Sequence, residues 1–290
     1  MKRREFLRYG AAAAGAFVSL DKFPYHLYAA STAKNAHDVV TLGKTGINVS
    51  RLAQGTGTNG VNHSSNQIRK MGDQGLADLL VEGVDNGLRF WDLADQYGSH
   101  PHAKLALKTV KRDNVVILTK THANTEKEMW ADLDRFRQET GTDRLDIVLL
   151  HCMLNSNWPQ HKAGAMNVLS EAKQKGIIRA HGVSCHDLGA LKVAADSDWV
   201  DVDLARLNPA GVAMDADPAT IISILRTMQQ RGKGIIGMKI LGAGALRGNR
   251  DEALQFALAQ DVLDCFTIGC ENPSELQDLM TRIPAASTRA

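Results

Sequence analysis

The sequence predicts an α/β protein whose body is a (β/α)8 barrel of the TIM type, with a β-hairpin before the first barrel strand. The main observation is a repeat of short apolar or β-branched runs, each of strand length. These runs end near eight positions spaced 24 to 37 residues apart: Gly55, Asp92, Lys120, His151, Ser184, Asn208, Lys239 and Gly269. That spacing fits a strand followed by a helix. Eight such units close into a barrel of ~250 residues, and an open doubly wound sheet is the alternative.

The hairpin is predicted from residues 39–50, ahead of the first repeat. Two short strand-like runs, residues 39–42 and 47–50, flank a turn that begins at Gly43 and ends at Gly46. Glycine adopts the backbone conformations that tight turns require. We expect this hairpin to cover the bottom of the barrel, where the strands begin.

Helices are predicted between the apolar runs. In the first unit, Leu76, Leu79, Leu80 and Val84 recur at helical spacing, and Asn86-Gly87 follows as a stop signal. The later segments show the same pattern, so the repeat indicates helices that cover the outside of the barrel.

The chain divides into two parts, a targeting segment with a linker at residues 1–33 and a single barrel domain at residues 34–290. The targeting segment begins with basic residues that include Arg3-Arg4, continues with the alanine-rich run 10–20, and ends in small residues. The run is too short to cross a bilayer as a helix, which needs roughly 20 residues. It is therefore typical of an export signal.

The arginine pair, followed by Phe6-Leu7, resembles the signal for twin-arginine export. We expect the twin-arginine machinery to recognise residues 1–30 and to export the protein, to the periplasm or another extracytoplasmic site. Whether the signal is cleaved stays open at this point.

Charge and composition exclude several classes of function. The whole chain carries a net charge of +2, and loss of residues 1–30 would remove five basic and two acidic residues, leaving about −1. We therefore expect no nucleic-acid partner. No later apolar run is long enough to embed the mature domain in a membrane. The four cysteines match no zinc or iron–sulfur spacing, so neither a metal nor such a cluster is expected.

A candidate active site lies at the ends of the second, third and fourth predicted barrel strands. Asp92 and Tyr97 follow the second strand, Lys120 ends the third, and His151 ends the fourth. Active sites of (β/α)8 barrels form at the C-terminal ends of the strands. The four polar side chains are therefore expected to share one cavity.

These residue types suit the reduction of a carbonyl group. An ammonium such as that of Lys120 is expected to lower the pKa of a neighbouring tyrosine, here Tyr97. Asp92 would neutralise and orient Lys120, and His151 would donate a hydrogen bond to a substrate oxygen. Together they make a proton donor beside an oxygen-binding site.

The stretch Asp92-Leu93-Ala94-Asp95-Gln96-Tyr97-Gly98 resembles the D-[TS]-A-x-x-Y-G signature of the aldo-keto reductases. Other segments follow the order of that family, including LGKTGINVSRL, ILTK, IVLLH, GIIRAHGVS and IGCENPSEL. The resemblance implies an NAD(P)H-dependent barrel enzyme that reduces an aldehyde, ketone or sugar. It also implies that Tyr97 donates the proton, that Lys120 and Asp92 tune it, and that His151 orients the carbonyl.

The same resemblance implies a set of cofactor-binding residues. They are Gly57, Thr58, Ser184, Cys185, Asn208, Met238, Lys239, Leu241, Gly269 and Asn272. The expected cofactor is NADP(H) or NAD(H). The preference between the two stays open, because the final loop holds Glu271 and lacks a basic residue for a 2′-phosphate. Gly57 belongs to a G-x-G-x-x-G sequence, yet a polar stretch delays the next helix, which disfavours a Rossmann site.

Two other functions stay open from the sequence alone. The histidines at 100, 102, 122, 151 and 186 lie near the same strand ends and would suit a metal-dependent barrel hydrolase. A barrel that has lost its cofactor and only binds a ligand is the other. Cys152 and Cys185 follow neighbouring strands, so a disulfide between them is also open, although packed thiols are favoured.

Overall fold

The hairpin forms as predicted and closes one end of the barrel. The computed structural model describes residues 33–288. Strands β1 (Val39–Thr41) and β2 (Asn48–Ser50) pair antiparallel. Leu42 and Ile47 are fully buried against side chains of the barrel interior. The Gly43 amide donates to Asp264, just before the last barrel strand, at 3.0 Å. These contacts place the hairpin at the bottom of the barrel.

The eight predicted barrel strands form and pair in parallel around a closed ring. They are β3 (Leu52–Gly55), β4 (Phe90–Asp92), β5 (Val116–Thr121), β6 (Ile147–Met153), β7 (Ala180–Cys185), β8 (Val202–Arg206), β9 (Gly234–Met238) and β10 (Cys265–Gly269). The ring closes where β10 pairs with β3, with Phe266 opposite Leu52. An open doubly wound sheet has no such closing pair, so the alternative fold is wrong.

Helices follow the strands and cover the outside. They are α1 (Asn66–Asp85), α2 (His100–Ala106), α3 (Glu126–Thr140), α4 (Trp158–His161), α5 (Ala163–Gln174), α6 (Leu188–Asp196), α7 (Pro218–Gln230), α8 (Arg250–Ala259) and α9 (Pro273–Ser287). The predicted first helix is α1, and its stop is confirmed at Gly87, where φ is +86°. Within residues 33–288, every helix is too short or too polar to cross a membrane.

Strand alternation separates two cores. Alternate residues such as Phe90, Leu118 and Leu149 fill the inside of the barrel, together with the hairpin. Residues in the other register, such as Ile117 and Val148, pack outward against the helices. Side chains two positions beyond an inward residue therefore point into the upper mouth of the barrel.

The predicted targeting segment lies outside the described residues, apart from Ala33. The division of the chain into residues 1–33 and 34–290, and the export signal itself, therefore stay predictions.

Candidate active site

The four predicted site residues meet at the mouth of the barrel. Asp92 lies two residues after Phe90, and Lys120 and His151 stand in the same relation to Leu118 and Leu149, so strand alternation turns all three inward. Their fractional exposures are 6%, 0% and 6%. Tyr97 arrives from a single turn of 3₁₀ helix, Asp95–Tyr97, just after β4.

Lys120 is the centre of the site. Its ammonium donates to the Asp92 Oδ1 atom and, at 2.8 Å, to the Leu93 carbonyl. It also lies 4.7 Å from the centre of the Tyr97 ring. Burial, the largest effect, disfavours the ammonium, but the charge of Asp92 and the contacts with Asp92 and Tyr97 outweigh it and raise the pKa of Lys120. Lys120 is therefore a permanent cation beside the phenol.

The net shift of the Tyr97 pKa is upward, although Lys120 contributes the lowering that the sequence predicts. Burial disfavours the phenolate most, and the charge of Lys120 offsets this only in part, while Asp92 adds to the rise. The ring packs so closely on two glycines that a Cβ at Gly57 or Gly60 would lie 2.3 or 2.4 Å from its atoms. Tyr97 is thus held in place and protonated.

His151 is an uncharged imidazole that faces the same phenol. Its ring meets Tyr97 edge-on, with 5.6 Å between centroids, and stacks on His122 at 4.8 Å. Burial is the main cause that holds the pKa of His151 well below its usual value, and the nearby charge of Lys120 adds to it. Its Nδ1 atom is buried and has no partner among the described residues.

Thr267 is a site residue that the sequence reasoning missed. Its hydroxyl donates to the Asp92 Oδ2 atom at 2.8 Å, so both oxygens of this carboxylate are bonded. Thr267 lies two residues after the inward-facing Cys265. The alternation that selects Lys120 and His151 would have found Thr267 as well.

A cavity of about 320 Å³ runs from Asp92 and Tyr97 between the top of β9 and the loop after β10. Six of the ten predicted cofactor residues line it, namely Gly57, Thr58, Met238, Lys239, Leu241 and Gly269. At its far end it is bordered by Arg247 and Arg250, which the sequence reasoning did not select, and by Glu271. The cavity is a groove that leads away from the phenol.

The other four predicted cofactor residues do not line this groove. Cys185 points outward from β7 into the core beneath the helices, where its thiol lies 3.7 Å from Asp203. The side-chain amide of Asn208 is occupied by bonds to Val212 in its own loop and to Lys239 after β9. Ser184 accepts a hydrogen bond from the Cys152 amide, and Asn272 caps α9.

The groove carries charges of both signs. Lys239 lies at its inner end, while Arg247 and Arg250 lie at the outer end with Asp278, which is 3.5 Å from Arg250. Glu271 accepts a hydrogen bond from Asn66 at 2.7 Å and pairs with Lys70, so this carboxylate ties the β10–α9 loop to α1. Burial opposes its charge, but these two partners outweigh burial and lower the pKa of Glu271.

Only three of the five histidines proposed for a metal site lie at the barrel mouth, where His122 stacks on His151 and His186 lies close enough to affect the pKa of His151. His100 and His102 turn away from the mouth, toward Glu139 at 2.8 Å and Asp73 at 3.1 Å. A different trio, Asp95, His100 and Glu139, has ligand atoms within 4.8 Å of one another, but Arg135 already bonds both of those carboxylates. The structure therefore does not bring together the set on which the metal-hydrolase alternative depends.

Cys152 and Cys185 are free thiols in the structure. Cys152 lies beside His186, with 3.2 Å between Sγ and Nδ1, and Cys185 lies in the outer core. The favoured packed state is therefore the one that the structure adopts. Burial raises the pKa of both thiols.

Taken chemically, the mouth holds a protonated phenol, a fixed cation behind it, and a neutral imidazole beside it. A carbonyl oxygen that lies between Tyr97 and His151 could accept hydrogen bonds from both. The adjoining groove has room, backbone surface at glycines, and cations for an elongated anionic molecule.

Comparison with known proteins identifies a family and related sequences. The profile of the aldo/keto reductase family matches residues 52–266. The chain is 22% identical over 262 residues to the D-threo-aldose 1-dehydrogenase of a Pseudomonas species, covering 78% of this chain and 74% of that one.

Solved structures share the fold. A protein from Pseudomonas aeruginosa assigned to the aldo-keto reductases superposes with a TM-score of 0.73 at 21% identity, over 89% of this chain and 99% of that one. The holo form of an aldo-keto reductase from Bacillus halodurans gives 0.65 at 16% identity, over 85% and 90%. These likenesses establish the fold, and the match over residues 52–266 establishes that the chain belongs to the aldo/keto reductase family.

Proposed function

We propose that this protein reduces the carbonyl group of a small molecule to an alcohol, with NADPH or NADH as the source of hydride. The observation that carries the proposal is the contact between Lys120 and Tyr97 at the end of a groove of about 320 Å³. Membership of a family of carbonyl oxidoreductases supports it. The reaction would belong to the oxidoreductases that act on alcohol and carbonyl groups with a nicotinamide cofactor.

Each side chain of the mouth then has a role. Tyr97 donates its phenolic proton to the carbonyl oxygen as that oxygen becomes an alkoxide. Lys120 stabilises the phenolate that this transfer leaves, and Asp92 keeps the lysine charged and in position. His151 holds the carbonyl oxygen through a hydrogen bond from its neutral ring. Because burial raises the pKa of Tyr97, the phenol keeps its proton until the carbonyl oxygen accepts it.

The groove fits a nicotinamide cofactor. Gly57 and Gly269 line it, and the charges of Arg247 and Arg250 at its outer end suit a pyrophosphate. When bound, the cofactor supplies the hydride. Thr58, Met238 and Leu241 would contact it along the groove, while Ser184, Cys185, Asn208 and Asn272 would act through the backbone or the loops that they hold.

The choice between NADP(H) and NAD(H) depends on opposite charges at the outer end. Glu271 lies there and would repel a 2′-phosphate, whereas Arg247, from the loop after β9, and Arg250, the first residue of α8, would attract one. Because Glu271 is already bonded to Lys70 and Asn66, part of its repulsion is neutralised. Both cofactors should therefore be tested.

The test is a titration of the purified protein with each cofactor, followed by quenching of tryptophan fluorescence, together with turnover of aldehydes and sugars. Tyr97→Phe is expected to bind cofactor within about twofold of the parent protein and to lose ~10²-fold or more in turnover. Failure of the parent protein to bind either cofactor, in preparations freed of retained nucleotide, would overturn the proposal. Full turnover in Tyr97→Phe would remove the tyrosine from it.

A sugar aldehyde is a reasonable first substrate to assay, because the chain resembles an aldose dehydrogenase.

We also propose that residues 1–30 direct export by the twin-arginine route, from the arginine pair and the apolar run that follows. Because that route carries folded proteins, the cofactor would leave the cytoplasm already bound. Replacement of Arg3-Arg4 by Lys-Lys should retain the protein in the cytoplasm, and unchanged fractionation would contradict this.

A further inference from the structure

Lys239 is held in an unusual position at the top of β9. Its φ angle is +58°, a left-handed conformation that costs a residue with a side chain of the order of 1 kcal/mol. The backbone is fixed there because its carbonyl accepts hydrogen bonds from the Asn208 amide at 3.2 Å and from the Gly242 N–H at 2.8 Å. The side chain is thereby directed into the cavity that contains Asp92 and Tyr97.

The charge of Lys239 has no bonded counter-ion among residues 33–288. Lys120, the other lysine of the mouth, is bonded to Asp92, and the nearby Arg206 is bonded through two nitrogens to Asp215. By contrast, the Lys239 ammonium makes no hydrogen bond or ion pair with any residue between 33 and 288. Burial, with the positive charges of Arg206 and Lys120, lowers its pKa.

The charged groups near this ammonium are the cations Arg206 and Lys120 and one anion, Asp92, which is already bonded to Lys120. His151 and His186 both feel its charge, and burial together with Arg206 and Lys239 lowers the pKa of His186 to about 4, so its ring is neutral. A partly buried ammonium among such groups is costly unless an anion from outside the chain joins it. The site therefore favours a negative charge that the described part of the chain does not supply.

The outer part of the groove has its own cations. Arg247 and Arg250 border the end that holds Glu271 and Asp278. Lys239 instead interacts electrostatically with Asp92, Lys120 and Cys152, which lie around the expected position of the reacting carbonyl. The unpaired ammonium of Lys239 thus lies where a substrate would bind, at the end of the cavity that holds Tyr97.

We propose that Lys239 binds the carboxylate or phosphate of an anionic carbonyl substrate, whose carbonyl group lies at Tyr97 and His151. The inference rests on the proposed reductase function and gives it a substrate class. The protein should prefer a carbonyl compound with an anionic group over the neutral analogue of the same shape.

Matched pairs of substrates test this. The carboxylate pair is para-formylbenzoate and para-formylbenzamide, and the phosphate pair is glyceraldehyde with and without its phosphate group. In the parent protein, the anionic member of at least one pair should have a KM about tenfold lower or better, and the pair that shows this identifies the anion. Lys239→Met should abolish that difference, and Lys239→Arg should retain part of it.

Cofactor binding and a surface lysine serve as controls. Lys239→Met should leave the Kd of the cofactor within about twofold, and Lys192→Met, an exposed lysine of α6, should behave as the parent protein. A loss of cofactor affinity in Lys239→Met, with no change in substrate preference, would assign the lysine to the cofactor and overturn the inference.

Direct binding separates failure of the inference from failure of the proposed function. Calorimetric titration with para-formylbenzoate, and with phosphorylated glyceraldehyde, needs no turnover. Binding that depends on Lys239 without any reduction would sink the reductase proposal and leave the anion site. Reduction of both members of each pair with equal KM would leave the reductase and sink the anion site.

Discussion

Replacement of Asp92 by Asn isolates the energetic role of the carboxylate that holds the site together. Lys120 is fully buried, and Asp92 is its one carboxylate partner within 4.0 Å in the part of the chain that the structure describes. Removal of one member of a buried ion pair typically costs ~3–5 kcal/mol, because the remaining charge keeps its burial and loses its partner. The Leu93 carbonyl still accepts from Lys120, so we expect about 3 kcal/mol, the lower end of that range.

The measurement is the free energy of unfolding in urea for the parent protein, Asp92→Asn, Lys120→Met and the double variant. Loss of both charges removes the buried cation, so the double variant should be more stable than Asp92→Asn alone. All three variants should lose turnover, whereas their free energies of unfolding should differ. The stability effect can therefore be told apart from the chemical one. The exposed Asp196→Asn serves as the matched control and should cost no more than about 0.5 kcal/mol.

The pH dependence of Asp92→Asn provides a second readout. Without the carboxylate, burial would hold the pKa of Lys120 in the folded state below its unfolded value. The unfolded chain then binds a proton that the folded protein lacks, so the free energy of unfolding rises with pH up to the unfolded pKa. The deficit of this variant should shrink between neutral and alkaline pH. The reasoning would be refuted if Asp92→Asn lowered the free energy of unfolding by less than about 1 kcal/mol. It would also be refuted if the loss in the double variant equalled the sum of the losses in the two single variants.

Three further changes test other parts of the structure. Gly57→Ala would place a methyl group 2.3 Å from the Tyr97 ring, so turnover should fall about tenfold or more with an unchanged circular dichroism spectrum; full turnover would contradict the packing. Asp203 is buried, and burial raises its pKa from 3.8 to about 7. The folded state keeps a proton that the unfolded chain releases, so stability should fall by on the order of 4 kcal/mol from pH 4 to pH 7. Urea unfolding of Asp203→Asn should lack this fall, and equal pH profiles would argue against it. Glu271→Gln frees Lys70 and removes a negative charge, so the Kd for NADPH should fall relative to that for NADH, and an unchanged ratio would remove Glu271 from cofactor choice.

The sequence was informative wherever the structure depends on local pattern. The eight strands were found because parallel barrel strands are short apolar runs at regular spacing, and Gly87 was found because helix stops favour glycine. Asp92, Lys120 and His151 were found because the ends of such strands define one face of the fold. The closing pair of β3 and β10 was not in any local pattern, and only the repeat number implied it.

Prediction was weaker where the outcome depends on three-dimensional surroundings. Cys185 was chosen from its place next to Ser184, yet adjacent strand residues face opposite sides, and alternation from Ser184 would have excluded it from the barrel interior. Arg247 lies in the loop after β9 and Arg250 directly follows that loop, whose path no periodicity predicts. The direction of the Tyr97 pKa shift required the balance between burial and Lys120, which a sequence does not contain.

That balance bears directly on the proposed reaction. Burial disfavours the charged form of any group, so burial in the same site raises the pKa of the Tyr97 phenol and lowers that of the His151 imidazole. Both groups consequently hold the neutral, hydrogen-donating form at neutral pH, while Lys120 stays charged because Asp92 is beside it. In the proposed reaction, a carbonyl oxygen that gains negative charge would then meet two donors and a cation. The unpaired ammonium of Lys239 adds a second attraction that a neutral substrate would leave unused, and for this reason the anionic and neutral substrate pairs should differ most in KM.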